Sequence, residues 1–194
     1  MTTDAIDEPT QTTPPGVWTL PNQLTASRLG LSIILFAAIS FGWYGTAFVL
    51  FVVAASTDWL DGYFARRWGL VTQLGRILDP FADKLIICGT FIYLAAIPTS
   101  GITPWMAVVV MGREMLVTGL RSFLEQRGKD FSAAWSGKIK MVLQCVAAGM
   151  SLFYLAWRPE WLWQPLVIAA WLAVASTVYS GIGYIQRAIR LFQQ

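Results

Sequence analysis

Six apolar stretches, each near the roughly 20 residues needed to cross a bilayer, restrict this sequence to an all-α, polytopic membrane architecture. They run near Leu24 to Phe41, Gly45 to Trp68, Leu74 to Ile97, Trp105 to Glu125, Ala133 to Trp157 and Trp161 to Arg187. A soluble domain does not carry so much continuous apolar sequence: 56% of the 194 residues are apolar and 13% charged, which reads as one integral membrane domain. Residues 1–20 are polar and rich in Thr and Pro, with neither a basic start nor an apolar core, and read as a flexible tail, not a signal peptide. Cys88 and Cys145 sit in separate apolar stretches without metal-ligand spacing and read as packing residues.

Charge placement gives an orientation. The short links Phe41 to Tyr44, Ile97 to Thr103 and Arg158 to Trp161 share one side, where Arg158 is the only basic residue, and the other thirteen Lys and Arg lie at or near the opposite side. By the positive-inside rule both termini face the cytoplasm. Eight tryptophans between Trp18 and Trp163 fall near span ends, as an aromatic belt does. Basic residues beside apolar spans suit anionic lipid or phosphate, and without a separate basic domain nucleic acid is an unneeded partner.

Against this background the segment DWLDGYFARRWGLVTQLGRILDPFADK stands out, since it sets Asp58, Asp61, Asp79 and Asp83 at the cytoplasmic ends of two spans. Asp58 and Asp61 are three apart and Asp79 and Asp83 four apart, so on helices each pair shares a face, and Gly62, Ala65 and Gly75 continue those faces with small residues. Small residues let two helices approach closely, so that four carboxylates can converge. Each charge costs roughly 2.5–3.5 kcal/mol at a bilayer centre before mutual repulsion is counted. One or two divalent cations remove that difficulty, and all-oxygen ligation favours Mg2+ or Mn2+. The sequence contains no His, which argues against zinc. A structural reading stays open beside this one, with the aspartates as solvated helix-end charges paired with Arg66, Arg67, Arg76 and Lys84.

The segment resembles the signature of the CDP-alcohol phosphotransferase family, D-x-x-D-G-x-x-A-R followed by G-x-x-x-D-x-x-x-D. Asp58, Asp61, Gly62, Ala65, Arg66, Gly75, Asp79 and Asp83 fill every defined position. The resemblance implies a six-helix membrane enzyme, a homodimer with a cytoplasm-facing polar cavity, in which residues 21–194 form the catalytic membrane domain. It implies transfer of a phosphatidyl group from CDP-diacylglycerol to an alcohol with release of CMP. It also implies divalent cations, Mg2+ or Mn2+ and two per site, on Asp58, Asp61, Asp79 and Asp83, with Asp83 as catalytic base. Gly62, Arg66, Thr72 and Gly75 match positions that serve the CDP part, and Asn22 and Thr25 a segment near the nucleotide.

Three flanking segments supply further polar groups. In PNQLTASR, Asn22 or Thr25 can cap a helix, and free amides at a helix start can receive phosphate. In GREMLVTGLRSF, adjacent Arg113 and Glu114 point in different directions around a helix, so pairing with each other is not their obvious use. Glu114, Thr118 and Arg121 share one face, as a structural seam or with Arg113 and Arg121 as phosphate ligands. In GKIK, Lys138 and Lys140 are either snorkelling anchors or ligands for a negatively charged second substrate. These segments are similar to those of family members that use sn-glycerol 3-phosphate, which assigns Arg113, Arg121, Lys138 and Lys140 to the acceptor phosphate. The chain departs from them at Met141, where Thr is usual. Phosphatidylglycerol or an inositol compound as acceptor keeps the same core. A divalent cation transporter is the reading from another class, and it leaves Gly62, Arg66 and Gly75 unexplained.

Overall fold

The computed structural model describes residues 20–68, 73–126 and 135–192. These residues form α1 (Leu20–Ser40), α2 (Tyr44–Trp68), α3 (Gln73–Ala95), α4 (Pro104–Gln126), α5 (Trp135–Trp157), a 3-10 turn (Glu160–Leu162) and α6 (Trp163–Phe192). Among them there is no strand, as the sequence leads one to expect. Boundaries fall within a few residues of the apolar stretches, with two informative exceptions. α1 already includes Leu20, the first described residue, so Asn22 and Thr25 lie inside the helix and not at its cap. α6 continues to Phe192, well past Arg187. Pro80 lies within α3. There it removes the donor that would meet the Arg76 carbonyl.

Three links gather at one end of the bundle, each ended by a specific backbone device. After α1, Gly42 adopts φ +75°, its N–H donates to Ile39 O (3.0 Å) and that of Trp43 to Ala38 O (2.8 Å), the paired bonds of a Schellman turn. Between α3 and α4, the Ser100 hydroxyl accepts from the Ile102 N–H (3.1 Å), and Gly101, also at φ +75°, lies against Leu166. After α5, Arg158 takes φ 49° and donates its N–H to Tyr154 O (2.8 Å) before Pro159 ends the helix. The links are tied to each other: Ser151 Oγ donates to Ser100 O (2.7 Å) and Arg158 to Thr99 Oγ1 (3.4 Å).

All six helices feed one core, through residues such as Leu35, Phe51, Phe91, Val110, Leu152 and Ala173. α5 and α6 make the most extensive pair, and their contact is rich in Ala147, Ala148, Ala169, Ala170 and Ala173, small residues that bring backbones together. Polarity is inverted relative to a soluble protein. Ser32, Thr90, Gln144, Ser151 and Thr177 are buried, while Ile33, Val49, Ile92, Val108, Val142 and Ile168 face outward. The buried hydroxyls donate within their own helices, Ser32 to Arg28 O (2.8 Å), Thr90 to Ile86 O (2.7 Å) and Thr177 to Ala173 O (2.6 Å). Gln144 donates across to Thr177 (2.8 Å), tying α5 to α6. Gly137–Trp157 and Glu160–Leu191 are long and apolar enough to cross a membrane.

α1 packs against α3 at Gly89, where an added Cβ would overlap the Phe36 ring, itself stacked on Tyr93 at 5.1 Å. Gly89→Ala is expected to destabilise the fold by about 1–3 kcal/mol, the usual range for overpacking. A lowered unfolding temperature of the purified protein in detergent checks this.

Candidate active site

The motif aspartates lie on the backbone of α2 and α3, away from the tied links. Asp58 and Asp61 are in the second half of α2, and Asp79 and Asp83 in the first half of α3. On α2 the buried Ala47, Phe51 and Ala54 recur at intervals of four and three, and Asp58 and Asp61 continue that register by four and three. On α3, Asp79 and Asp83 precede the buried Ile87, Thr90 and Leu94 by the same kind of interval. Both pairs therefore occupy the register that faces the core farther along each helix. The side chains of the four aspartates, of Asn22, Thr25 and Arg66, the surroundings of Gly62 and Gly75, and Thr72 altogether lie outside the described residues.

At the same end α4, α5 and α6 build a buried ionic cluster. Glu114 on α4 accepts from Lys140 on α5 and from Arg113 Nη1 at 3.2 Å, with side-chain exposures of 10% for Glu114, 7% for Lys140 and 9% for Arg113. Adjacent Arg and Glu thus do pair, contrary to the expectation from helix geometry alone. The reason is tertiary: the long Arg113 stem turns toward a gap already occupied by Lys140 and by Ser180 of α6, whose hydroxyl accepts from Arg113 Nη2 at 2.6 Å. The seam expected along Glu114, Thr118 and Arg121 runs through backbone instead, Thr118 Oγ1 donating to the Glu114 carbonyl (2.7 Å).

Among the described residues the cluster holds two cations and one carboxylate in a largely buried setting. Arg113 Nε and Arg121 Nε are buried and have no hydrogen-bond partner among the described residues. Arg121 is close enough to Arg113 for their charges to repel, and Lys140 is within electrostatic reach of Lys84, the neighbour of Asp83 on α3. Lys84 thereby links α3 electrostatically to the cluster. Lys138 is separated from it: two residues before Lys140, it points another way and is exposed. Sequence reasoning missed Ser180 and Tyr184. The signal present was a small polar residue and a tyrosine near the end of an apolar stretch, the composition of an interhelical contact.

A sequence model of CDP-alcohol phosphatidyltransferase matches residues 18–179. The chain belongs to the CDP-alcohol phosphatidyltransferase family. Among its relatives, the CDP-diacylglycerol--glycerol-3-phosphate 3-phosphatidyltransferase of Bacillus subtilis (strain 168) is 35% identical over 187 residues, covering 88% of this chain and 95% of the relative. Enzymes with the same name from Pectobacterium atrosepticum and Escherichia coli (strain K12) are 35% and 31% identical, each covering 87% of this chain and 94% of the relative. As a CDP-alcohol phosphatidyltransferase the chain is a transferase of phospholipid synthesis.

Removing Glu114 leaves two cations of the cluster without their carboxylate. Glu114→Ala is expected to destabilise the protein by about 3 kcal/mol or more, as loss of one partner of a buried pair does. Glu114→Leu combined with Lys140→Met recovers part of that loss, because no unpaired charge is then left on α5. Thermal unfolding of the two variants against wild type decides it.

Proposed function

We propose that this chain transfers the phosphatidyl group of CDP-diacylglycerol to the 1-hydroxyl of sn-glycerol 3-phosphate, giving phosphatidylglycerophosphate and CMP. The observation that carries this reading is the buried Arg113–Glu114–Lys140 cluster, which lies at the end of the bundle where the backbone of α2 and α3 carries the four motif aspartates. It is supported by the names of relatives that match nearly their whole length. A buried cluster of net positive charge favours an acceptor that carries its own phosphate over inositol or serine.

The donor set suits a hard divalent cation, because Asp58, Asp61, Asp79 and Asp83 offer only carboxylate oxygens from two neighbouring helices. When bound, Mg2+ or Mn2+ supplies charge neutralisation on the pyrophosphate and eases departure of CMP. The protein's own part is placement and proton handling. Arg113, Arg121 and Lys140 hold the acceptor phosphate, with the exposed Lys138 guiding it in. Gly62, Arg66, Thr72, Gly75, Asn22 and Thr25 hold the nucleotide end of the lipid donor. Asp83 takes the proton of the acceptor hydroxyl as its oxygen bonds to the phosphorus bearing diacylglycerol, and the bond from that phosphorus to the bridging oxygen of CMP breaks.

The setting proposed for this chemistry is a bacterial cytoplasmic membrane crossed six times, with residues 21–194 as the catalytic domain. Both termini and the active-site cavity face the cytoplasm, and two copies form the working unit. The apolar outward faces of all six helices support the crossings, and Arg158 as the only basic residue at the link end supports the orientation.

Purified protein with Mg2+ or Mn2+ is expected to release CMP from CDP-diacylglycerol only when glycerol 3-phosphate is added. Phosphatidylglycerol, inositol phosphate and serine tested in parallel identify any other acceptor. Turnover with one of these and none with glycerol 3-phosphate overturns the acceptor, and no turnover with any overturns the chemistry. Asp83→Asn is expected to lower kcat by at least about 100-fold, the lower end of what general-base catalysis provides; full activity in that variant removes Asp83 as the base.

A further inference from the structure

Arg113 is held on several sides by residues outside the aspartate motif. Its Nη2 donates to Ser180 Oγ at 2.6 Å, and its Cζ lies 5.2 Å from the centroid of the Tyr184 ring, a cation–π contact one turn along the same face of α6. Two glycines make room for it. A Cβ on Gly181 would stand 3.3 Å from Arg113 Cγ, and one on Gly137 of α5 would stand 3.3 Å from Tyr184 Oη and 4.0 Å from Arg113 Nη2. Tyr184 is itself buried with Val117, Leu124 and Ala188 in a small apolar cluster that joins the ends of α4 and α6. The ring that supports the guanidinium is thus fixed by packing, and the hydroxyl that meets it is fixed by the helix.

A guanidinium has five donor hydrogens in a rigid fork. Glu114 and Ser180 engage Nη1 and Nη2, while Nε is buried without a hydrogen-bond partner among the described residues. Arginine loses much rotamer freedom when a ligand has to order it, and a side chain already ordered by the fold spares the ligand that loss. The residues that do the ordering lie at the far end of the sequence, past residues 18–179 that match the family.

We propose that Ser180 and Tyr184 are positioning residues, which fix the Arg113 fork to receive the phosphate of a phosphorylated alcohol and so set acceptor selectivity. The inference rests on the reading of Arg113 as an acceptor ligand given above. Ser180 and Tyr184 act through Arg113 and do not touch the reacting atoms. Their loss therefore weakens acceptor binding and leaves the lipid donor and the chemical step alone.

The test is steady-state kinetics of the full-length protein, with CDP-diacylglycerol and glycerol 3-phosphate varied independently. Ser180→Ala is expected to raise KM for glycerol 3-phosphate about tenfold, the scale of one hydrogen bond to a charged group. KM for CDP-diacylglycerol and kcat are expected to stay within about twofold, the signature of lost ground-state binding. Ser180→Thr restores the hydroxyl and is expected to recover most of the affinity. Tyr184→Phe keeps the ring and its affinity, whereas Tyr184→Leu shows the same selective rise as Ser180→Ala. An unchanged KM for glycerol 3-phosphate in both Ser180→Ala and Tyr184→Leu overturns the inference, and so does an equal rise in both KM values. The two levels separate in the same assay. Wild type that prefers glycerol 3-phosphate, with variants that leave its KM unchanged, overturns the positioning role alone. Wild type that turns over only unphosphorylated acceptors overturns the acceptor reading and this inference with it.

Discussion

With apolar side chains turned outward along every helix, the polar side chains inside the bundle must find partners in backbone carbonyls or in one another, and that constraint orders the rest. A surface serine can turn to water, but Ser180 and Thr177 cannot, and each is met by a group from a neighbouring helix. Hydrogen bonds of this kind are individually modest in a membrane, about 0.6 kcal/mol on average. Their value here is directional. They fix which face of α6 meets α4 and α5, something that alanine-rich contacts leave poorly specified.

Glu114 shows the same constraint at its sharpest. One carboxylate serves cations from two helices, so moving either helix strands a charge. The bundle accepts that arrangement although an apolar substitute would pack as well and avoid desolvation. Such an arrangement makes sense where a third, mobile charge completes it. In the proposed reaction a phosphate arriving at Arg113 and Lys140 would meet cations already desolvated during folding, so the site need not strip water from its own ligands.

The helices were legible because their signal is one-dimensional: an apolar run of sufficient length, closed by Gly42, Pro104 or Pro159, needs no knowledge of neighbours. The aspartate pairs were legible for a related reason, since spacing within a helix fixes a shared face, and the continuation of the Ala47, Phe51 and Ala54 register to Asp58 and Asp61 agrees with it. What escaped was whatever depends on a second helix. Arg113 and Glu114 pair because of what stands opposite them, and Lys138 and Lys140 part company because only one of two near neighbours can face α4. Ser180 and Tyr184 become meaningful only once α6 is laid against α4.

The tied links at the end opposite the site give the chain the form of three helical hairpins, α1 with α2, α3 with α4, and α5 with α6, each pair in direct contact. The hairpin tips are short and bring across one basic residue in total, Arg158. The hairpins are not self-sufficient, since Lys140 and Ser180 of the third find their partners on α4 of the second. The polar groups of the proposed site are dealt out among all three: Asp58 and Asp61 to the first, Asp79, Asp83, Arg113 and Glu114 to the second, Lys140 and Ser180 to the third. No hairpin by itself carries the whole proposed site, so on that reading catalytic competence requires all three hairpins to be packed together.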